Sequence, residues 1–163
     1  MSVFKTTFSR ALRVIPTDNA NIPYPAESAS GTNTSVAVAS LVDSAATFVT
    51  NNVATGDIVY NTTDGTAATV LVVVSETTLL LNADIFTATA KAYVVYTASS
   101  QTSNGNPGCF LYVGGAGNVR VTTIGQDIIT FTAVPVGTVL PVQVVKIHGS
   151  GSGTTATLIN ALW

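Results

Sequence analysis

The 163-residue chain carries only 9% Asp, Glu, Lys and Arg against 47% hydrophobic residues, at a formal net charge of −2, whereas charged residues make up about a quarter of an ordinary soluble domain. Its six cations, Lys5, Arg10, Arg13, Lys91, Arg120 and Lys146, form no basic stripe, which argues against nucleic acid binding by phosphate neutralisation. The single Cys109 excludes an internal disulfide framework and a multi-cysteine metal site, and the longest apolar run, Val70 to Val74, is far too short for the roughly 18 residues of a membrane-spanning helix.

Threonine, valine, alanine and glycine dominate, and this β-branched excess predicts an all-β fold. Residues 1 to 34 read as an extended N-terminal arm belonging to a base domain. Pro16, Pro23 and Pro25 fix φ and remove ladder donors, and the small polar stretch Ser28 to Thr34 follows. Such an arm runs over a partner or over its own sheet. Lys5, Arg10 and Arg13 make it mildly cationic, through simple solvation or as a tether for an acidic partner surface. Lys5, Thr6, Thr7, Ser9 and Arg10 interrupt any apolar signal-peptide core, so the expected starting compartment is a cytoplasm.

Residues 35 to 98 change texture. Ser35 to Val42 reads as a strand, Ala45 to Asn51 as a loop or single helical turn, and Ile58 to Asn61 as a strand entered through Gly56-Asp57. The turn Asp64-Gly65-Thr66 leads into Ala67 to Ser75, which forms a hairpin with Thr78 to Asn82 across Glu76-Thr77, and Ala92 to Tyr96 closes the set. Five short strands at this spacing predict a small SH3-like or OB-like barrel, whose closure would remove an aggregation-prone edge.

Ser99 to Gly108 reads as a polar linker (residues 99 to 108), and residues 109 to 163 as a C-terminal β base domain of sandwich or barrel-like type. There Phe110 to Val113 precedes a Gly114-to-Asn118 turn, then Val119 to Thr122, Ile128 to Phe131, Val139 to Ile147, a Gly149-to-Gly153 turn and Ala156 to Leu162. Val119, Val121 and Thr123 alternate with Asn118, Arg120 and Thr122, the period of a sheet with one wet face. Val139 to Val145 is apolar except for Gln143, as expected of a strand covered by its own core on one side and another subunit on the other.

Catalytic constellations are weak. His148 is the only histidine, and Gly149-Ser150-Gly151-Ser152-Gly153 spells a nucleophile-elbow pentad without the following helix. The same glycines lack a phosphate-loop lysine, and Gly114 to Gly117 does not match Gly-x-Gly-x-x-Gly. Asp57, Asp64 and Asp84 are the residues able to share a calcium, though aspartates at turns more often bond their own backbone. Cys109 reads as a small buried hydrophobe. No enzyme activity, cofactor or metal is expected.

Ile15-Pro16-Thr17-Asp18, Leu111 to Val119 (LYVGGAGNV), Val134 to Val142 (VPVGTVLPV) and Gly153 to Trp163 (GTTATLINALW) together, in this order, resemble the head-spike base proteins of tailed phages and gene transfer agents. The chain departs from that pattern by roughly 80 further residues between the first two motifs. Within them, Gly56 to Thr66 (GDIVYNTTDGT) and Leu79 to Phe86 (LLLNADIF) are similar to modules of marine-phage structural proteins. The resemblance implies a base domain built from both chain ends with the small barrel inserted. It implies a capsid-surface role as head decoration or cement protein or as spike or fibre base, on the virion exterior after synthesis in a bacterial host. The partners implied are the chain itself as a trimer or pentamer, the major capsid protein and a spike or fibre protein, with no nucleic acid and no membrane.

Interface energy concentrates in aromatic residues, so Phe110, Tyr112, Phe131 and Trp163 are the candidate anchors, each equally able to be internal core, beside Arg10 and Arg13. A second reading is a tail, baseplate or fibre-associated module that binds a glycan or receptor by stacking on exposed Tyr60, Tyr93 or Tyr96.

Overall fold

The computed structural model describes residues 8–98 and 108–163. The expected linker therefore lies, apart from Gly108, outside the described residues, as does Lys5. Among the described residues the fold is all-β, with two antiparallel sheets and no α-helix. In chain order the strands are β1 (Ala11–Arg13), β2 (Glu27–Thr32), β3 (Ser35–Ala37), β4 (Ser40–Val42), β5 (Ile58–Asn61), β6 (Thr66–Ser75), β7 (Thr78–Leu81), β8 (Ala92–Tyr96), β9 (Cys109–Gly115), β10 (Gly117–Thr123), β11 (Ile128–Val134), β12 (Thr138–Ile147) and β13 (Thr157–Leu162).

The first sheet has the order β1-β13-β9-β12-β10-β11, and the second β2-β8-β5-β6-β7-β4-β3. The first thus draws one strand from before the second sheet in sequence and five from after it. Each sheet has its own core. Leu111, Val113, Val119, Val121, Val144, Ile147 and Ile159 pack under the first, and Leu41, Phe48, Val59, Val70, Leu79, Phe86 and Tyr93 under the second. The alternation read from Asn118 to Thr123 sorts as the period of two requires: Val119, Val121 and Thr123 are buried, and the residues between them half-buried.

Several expected elements differ in detail. Ser35 to Val42 is not one strand but the hairpin β3–β4, reversed through Ala39 at φ 48°. An alanine in the left-handed region gives no sequence signal of a turn. Glu27–Thr32, placed in the arm, is strand β2 and pairs with β8. Ser28, Ser30 and Thr32 carry the small side chains that an edge strand tolerates. Residues 14–22 of the arm run over its own first sheet, held by backbone bonds from Val14 to Ile159, Thr17 to Ile147 and Ile22 to Val145.

Gly114 to Asn118 is not a hairpin turn either. β9 runs straight on into β10, and β12 lies between them in the sheet. The glycines are there for room: a Cβ on Gly117 would sit 2.5 Å from the Ala156 nitrogen, and one on Gly114 2.7 Å from the Leu158 carbonyl oxygen. In the second sheet β2 and β3 are opposite edges yet only Asn33 and Thr34 separate them in sequence. The sheet must therefore curl enough to bring the end of β2 near the start of β3. Asn33 bonds towards β8 through the Lys91 carbonyl, and Thr34 bonds to Val42 of β4.

Strand β6 is the corner. Thr66 to Thr69 pair with β5, whereas Val70 to Ser75 pair with β7. Beyond Leu71 one side of β6 has no strand beside it among the described residues.

Candidate interaction surfaces

Backbone pairing lines up Arg13, Asn160, Tyr112 and Val139 in one row across β1, β13, β9 and β12. The adjacent row, Ala161, Leu111 and Leu140, is buried, so the first row faces out. Tyr112 is 37% exposed and Val139 43%. Phe110, two residues from Tyr112 on the same strand, shares this face and stacks against Phe8 at 5.7 Å. Of the expected anchors, Phe110, Tyr112 and Arg13 are therefore brought together on one open sheet face.

The other anchors turn towards the chain's own interior. Phe131 pairs opposite the fully buried Val119 and packs on the first core. Trp163 packs on the same core, edge-to-face with Tyr24 at 5.5 Å, and its Nε1 is buried without a partner among the described residues. Arg10 is spent internally: its guanidinium donates to the Pro25 carbonyl at 2.8 Å and lies over the Tyr24 ring. Two of the three tyrosines of the stacking hypothesis are corrected as well. Tyr60 and Tyr93 are 3% and 2% exposed. Desolvation pushes both hydroxyls above their ordinary pKa, and Tyr93 donates to the buried Asp43 carboxylate at 2.8 Å.

Tyr96 alone keeps access to solvent. It is half-buried beside a cleft of about 440 Å³ lined by Leu12, Arg13, Pro16, Tyr60 and Thr62. Its ring meets Tyr60 edge-on at 5.3 Å.

Two further surfaces are aliphatic. On β11, Ile128 and Ile129 are 58% and 47% exposed although they are consecutive and so point to opposite faces. Among the described residues neither face of that part of the strand is covered by the chain's own core, and β11 pairs with β10 alone. On β6, Leu71, Val72 and Val74 are 46%, 46% and 60% exposed along the half that pairs with β7 alone. The sequence clue was length: a ten-residue strand cannot be paired throughout by partners of four.

The polar residues have local jobs. Asp57 accepts from the Ala54 and Ala98 amides, and Asp64 accepts from Lys91 at 2.8 Å and from Asn61. With Asp84 they form no metal-holding group among the described residues. Glu76, read as part of a tight turn, reaches the Val49 and Thr50 amides and the Thr50 hydroxyl, pinning the loop before β5. Cys109 donates weakly to the Val144 carbonyl, and burial pushes its thiol up to about 12.

Around His148 the structure assembles a cluster that the spacing of its members hid. His148 Nδ1 lies 2.8 Å from Asp18 Oδ1, its Nε2 lies 3.0 Å from Thr122 Oγ1, and Ser152 Oγ donates to Asp18 Oδ2 at 2.6 Å. These bonds, the Ser152 hydroxyl first and His148 second, hold the Asp18 carboxyl below its ordinary pKa. Carboxylate, imidazole and hydroxyl stand in the order of a hydrolase triad. Thr122, however, sits mid-strand in β10, laddered to β11 on one side and β12 on the other. The amides around it serve those ladders rather than an oxyanion. What the cluster does is hold the chain: Asp18 fastens residues 16–19 to the first sheet. The carbonyl of the next residue, Asn19, accepts from Thr69 Oγ1 and Asn82 Nδ2 of the second-sheet segment. Adjacent residues thus bolt one sheet to the other.

Comparison of the chain with protein-family models, curated proteins and solved structures finds no match.

Proposed function

We propose that this chain is a structural protein of a phage particle, mounted on the capsid exterior as head decoration or cement protein or as spike or fibre base, and that it works by packing against copies of itself and the major capsid protein. The observation that carries the reading is the open first-sheet face. Tyr112 and Val139 lie exposed with Phe110 beside them, in a chain whose core is complete without them. Apolar surface of this kind is worth about 25 cal/mol per Å² when a partner covers it. Aromatic residues at the centre of such a patch carry most of the binding energy.

The phage assignment comes from the resemblance of residues 15–18, 111–119, 134–142 and 153–163 to head-spike bases. In this reading the first sheet is the base, and the curled second sheet is a small SH3-like barrel interposed in it. The test is co-expression with the major capsid protein of the same phage, followed by affinity capture. Wild type captures the capsid protein, and Tyr112→Ser with Val139→Ser loses it at unchanged thermal stability. A monomeric wild type that captures no capsid protein refutes the proposal.

One observation favours the second reading, a glycan-binding module. Tyr96 borders the 440 Å³ cleft together with Arg13 and Thr62, an aromatic ring beside polar groups. Saturation-transfer NMR with a panel of host surface oligosaccharides tests it, and a Tyr96→Leu variant with undiminished transfer rules this cleft out.

A further inference from the structure

We infer that the groove beside β2 in the second sheet binds a primary ammonium group carried on a slim methylene stem, that of a lysine side chain, with the buried Asp43 carboxylate as its counter-ion. The inference stands apart from the assembly reading and from the Tyr96 cleft.

Asp43 is only 4% exposed. Its Oδ1 accepts from the Ala45 amide at 2.9 Å and its Oδ2 from the Tyr93 hydroxyl at 2.8 Å, the bonding of a carboxylate. Both donors are neutral. A buried charge is ordinarily paired with a cation, because removing it from water alone is costly, yet among the described residues no cation pairs with this one. Lys91 pairs with Asp64, while Arg10, Arg120 and Lys146 donate to the carbonyls of Pro25, Ser152 and Asp18. Arg13 lines two other clefts, neither of which includes Asp43. Asp57 is as deeply buried, but two backbone amides, of Ala54 and Ala98, close on its two oxygens. Asp43 has a single amide and opens on a groove instead.

That groove, of about 340 Å³, lies between β2 and the loop that follows β4, and no basic residue lines it. Asp43 and Tyr93 are its floor. A side chain on the strand above would cover them, since a Cβ on Gly31 would sit 2.6 Å from Asp43 Oδ2 and 2.8 Å from the Tyr93 hydroxyl oxygen. Glycine keeps the carboxylate free of that cover. Ala29, Ala45 and Ala46 supply apolar wall, and the exposed Ser30, Thr32, Thr47 and Asn51 form a polar rim.

The donor set selects the cation. A calcium ion takes about 6–8 oxygens, several of them from carboxylates, and no cluster of three ligating side chains exists among the described residues. A guanidinium prefers both carboxylate oxygens at once, whereas here each oxygen already accepts from a different donor. An ammonium asks for one carboxylate oxygen and two neutral acceptors, which Asp43 and the surrounding hydroxyls provide. Because the carboxylate lies at the bottom, the charge must arrive on a narrow stem. Alanine methyl groups receive methylenes in the way apolar surfaces receive lysine stems.

Amide NMR of the isotope-labelled whole chain, recorded while Nα-acetyl-lysine amide is added, tests this. The Gly31, Ala45 and Asn51 amides are expected to shift to saturation. The Nε-acetylated counterpart, which keeps the stem and lacks the charge, and sodium chloride at equal ionic strength should leave them unmoved. Asp43→Asn preserves the size of the side chain and should weaken binding about tenfold or more. Thr47→Trp adds bulk at an exposed rim position and should do the same at an unchanged melting temperature, so the test survives an Asp43 variant that fails to fold. Equal shifts with the acetylated compound, undiminished binding by Thr47→Trp or by a folded Asp43→Asn, or no shift with any amine overturns the inference. Glucosamine binding more tightly than the lysine probe overturns the lysine assignment in favour of an amino sugar. None of these results bears on capture of the capsid protein, so the two proposals fail separately.

Discussion

Replacing Asp18 by alanine tests how the two sheets are held together. The carboxylate accepts from Ser152 Oγ at 2.6 Å and bonds His148 Nδ1 at 2.8 Å. Hydrogen bonds to a charged group contribute about 1.5–3 kcal/mol each when shielded. The Asp18 side chain is 48% exposed, and an exposed ion pair is worth only about 0–1 kcal/mol. The discounted expectation is a loss of about 1–2 kcal/mol, and a chain of this size loses about 2–4 °C of Tm per kcal/mol. The pH dependence has a definite sign. Because the folded-state pKa is depressed, this stabilisation is fully present above the unfolded value of about 3.9 and is lost as pH falls through the lower folded value. Calorimetric melts of wild type and Asp18→Ala should therefore differ at about pH 5 and converge as pH falls below about 4. His148→Ala should cost less in the Asp18→Ala background than in wild type, since both remove one shared contact, while the His148 bond to Thr122 is lost in either. Equal melting at pH 7, or a gap that persists in acid, refutes this account of the junction.

Gly117→Ala should cost about 1–3 kcal/mol or more in urea unfolding, because its Cβ meets the Ala156 nitrogen at 2.5 Å and the Thr155 carbonyl carbon at 2.7 Å, backbone atoms that cannot rotate away. Phe48→Ala empties a fully buried site in the second core and should cost about 3–5 kcal/mol. Val38→Ala, at an 83% exposed position, should stay within about 0.5 kcal/mol by the same measurement. Cys109 should resist an aromatic disulfide reagent at pH 8 in the folded protein and react at once in guanidinium, since burial both hides the thiol and raises its pKa to about 12.

The sequence announced strands well and their neighbours poorly. Ile58 to Asn61, Thr78 to Leu81 and Val139 to Ile147 are legible because β-branched runs bounded by Gly, Asn and Asp have few alternatives to a pleated strand. Reversal at Ala39 and passage straight through Gly115-Ala116-Gly117 were not legible. The first turns on a residue with no turn preference, and the second uses glycine for close approach rather than for reversal. The surface was half legible. Tyr112 and Arg13 share a face because sheet pairing brings residues 13, 112, 139 and 160 into one row, and no local pattern encodes that register. Asp18 and His148 meet across 130 positions for the same reason.

The low charge acquires a structural meaning once the apolar residues are divided by what they touch. One set closes three buried clusters, down to Leu41, Phe48, Val59, Leu111, Val119 and Ala161 with no exposed surface. Those cores need nothing further from Ile128, Ile129, Leu71, Val72, Val74, Tyr112 or Val139, which stand outside them on strand edges and on one open face. Single exposed apolar residues are ordinary on any protein. Apolar residues gathered where the backbone is also unpaired are different, because water must then be excluded from side chain and ladder together. Under the proposed assembly, lysine at Tyr112 or Val139 on the open face should leave folding intact while weakening assembly, whereas the same change at Val119 or Leu41 should abolish folding first.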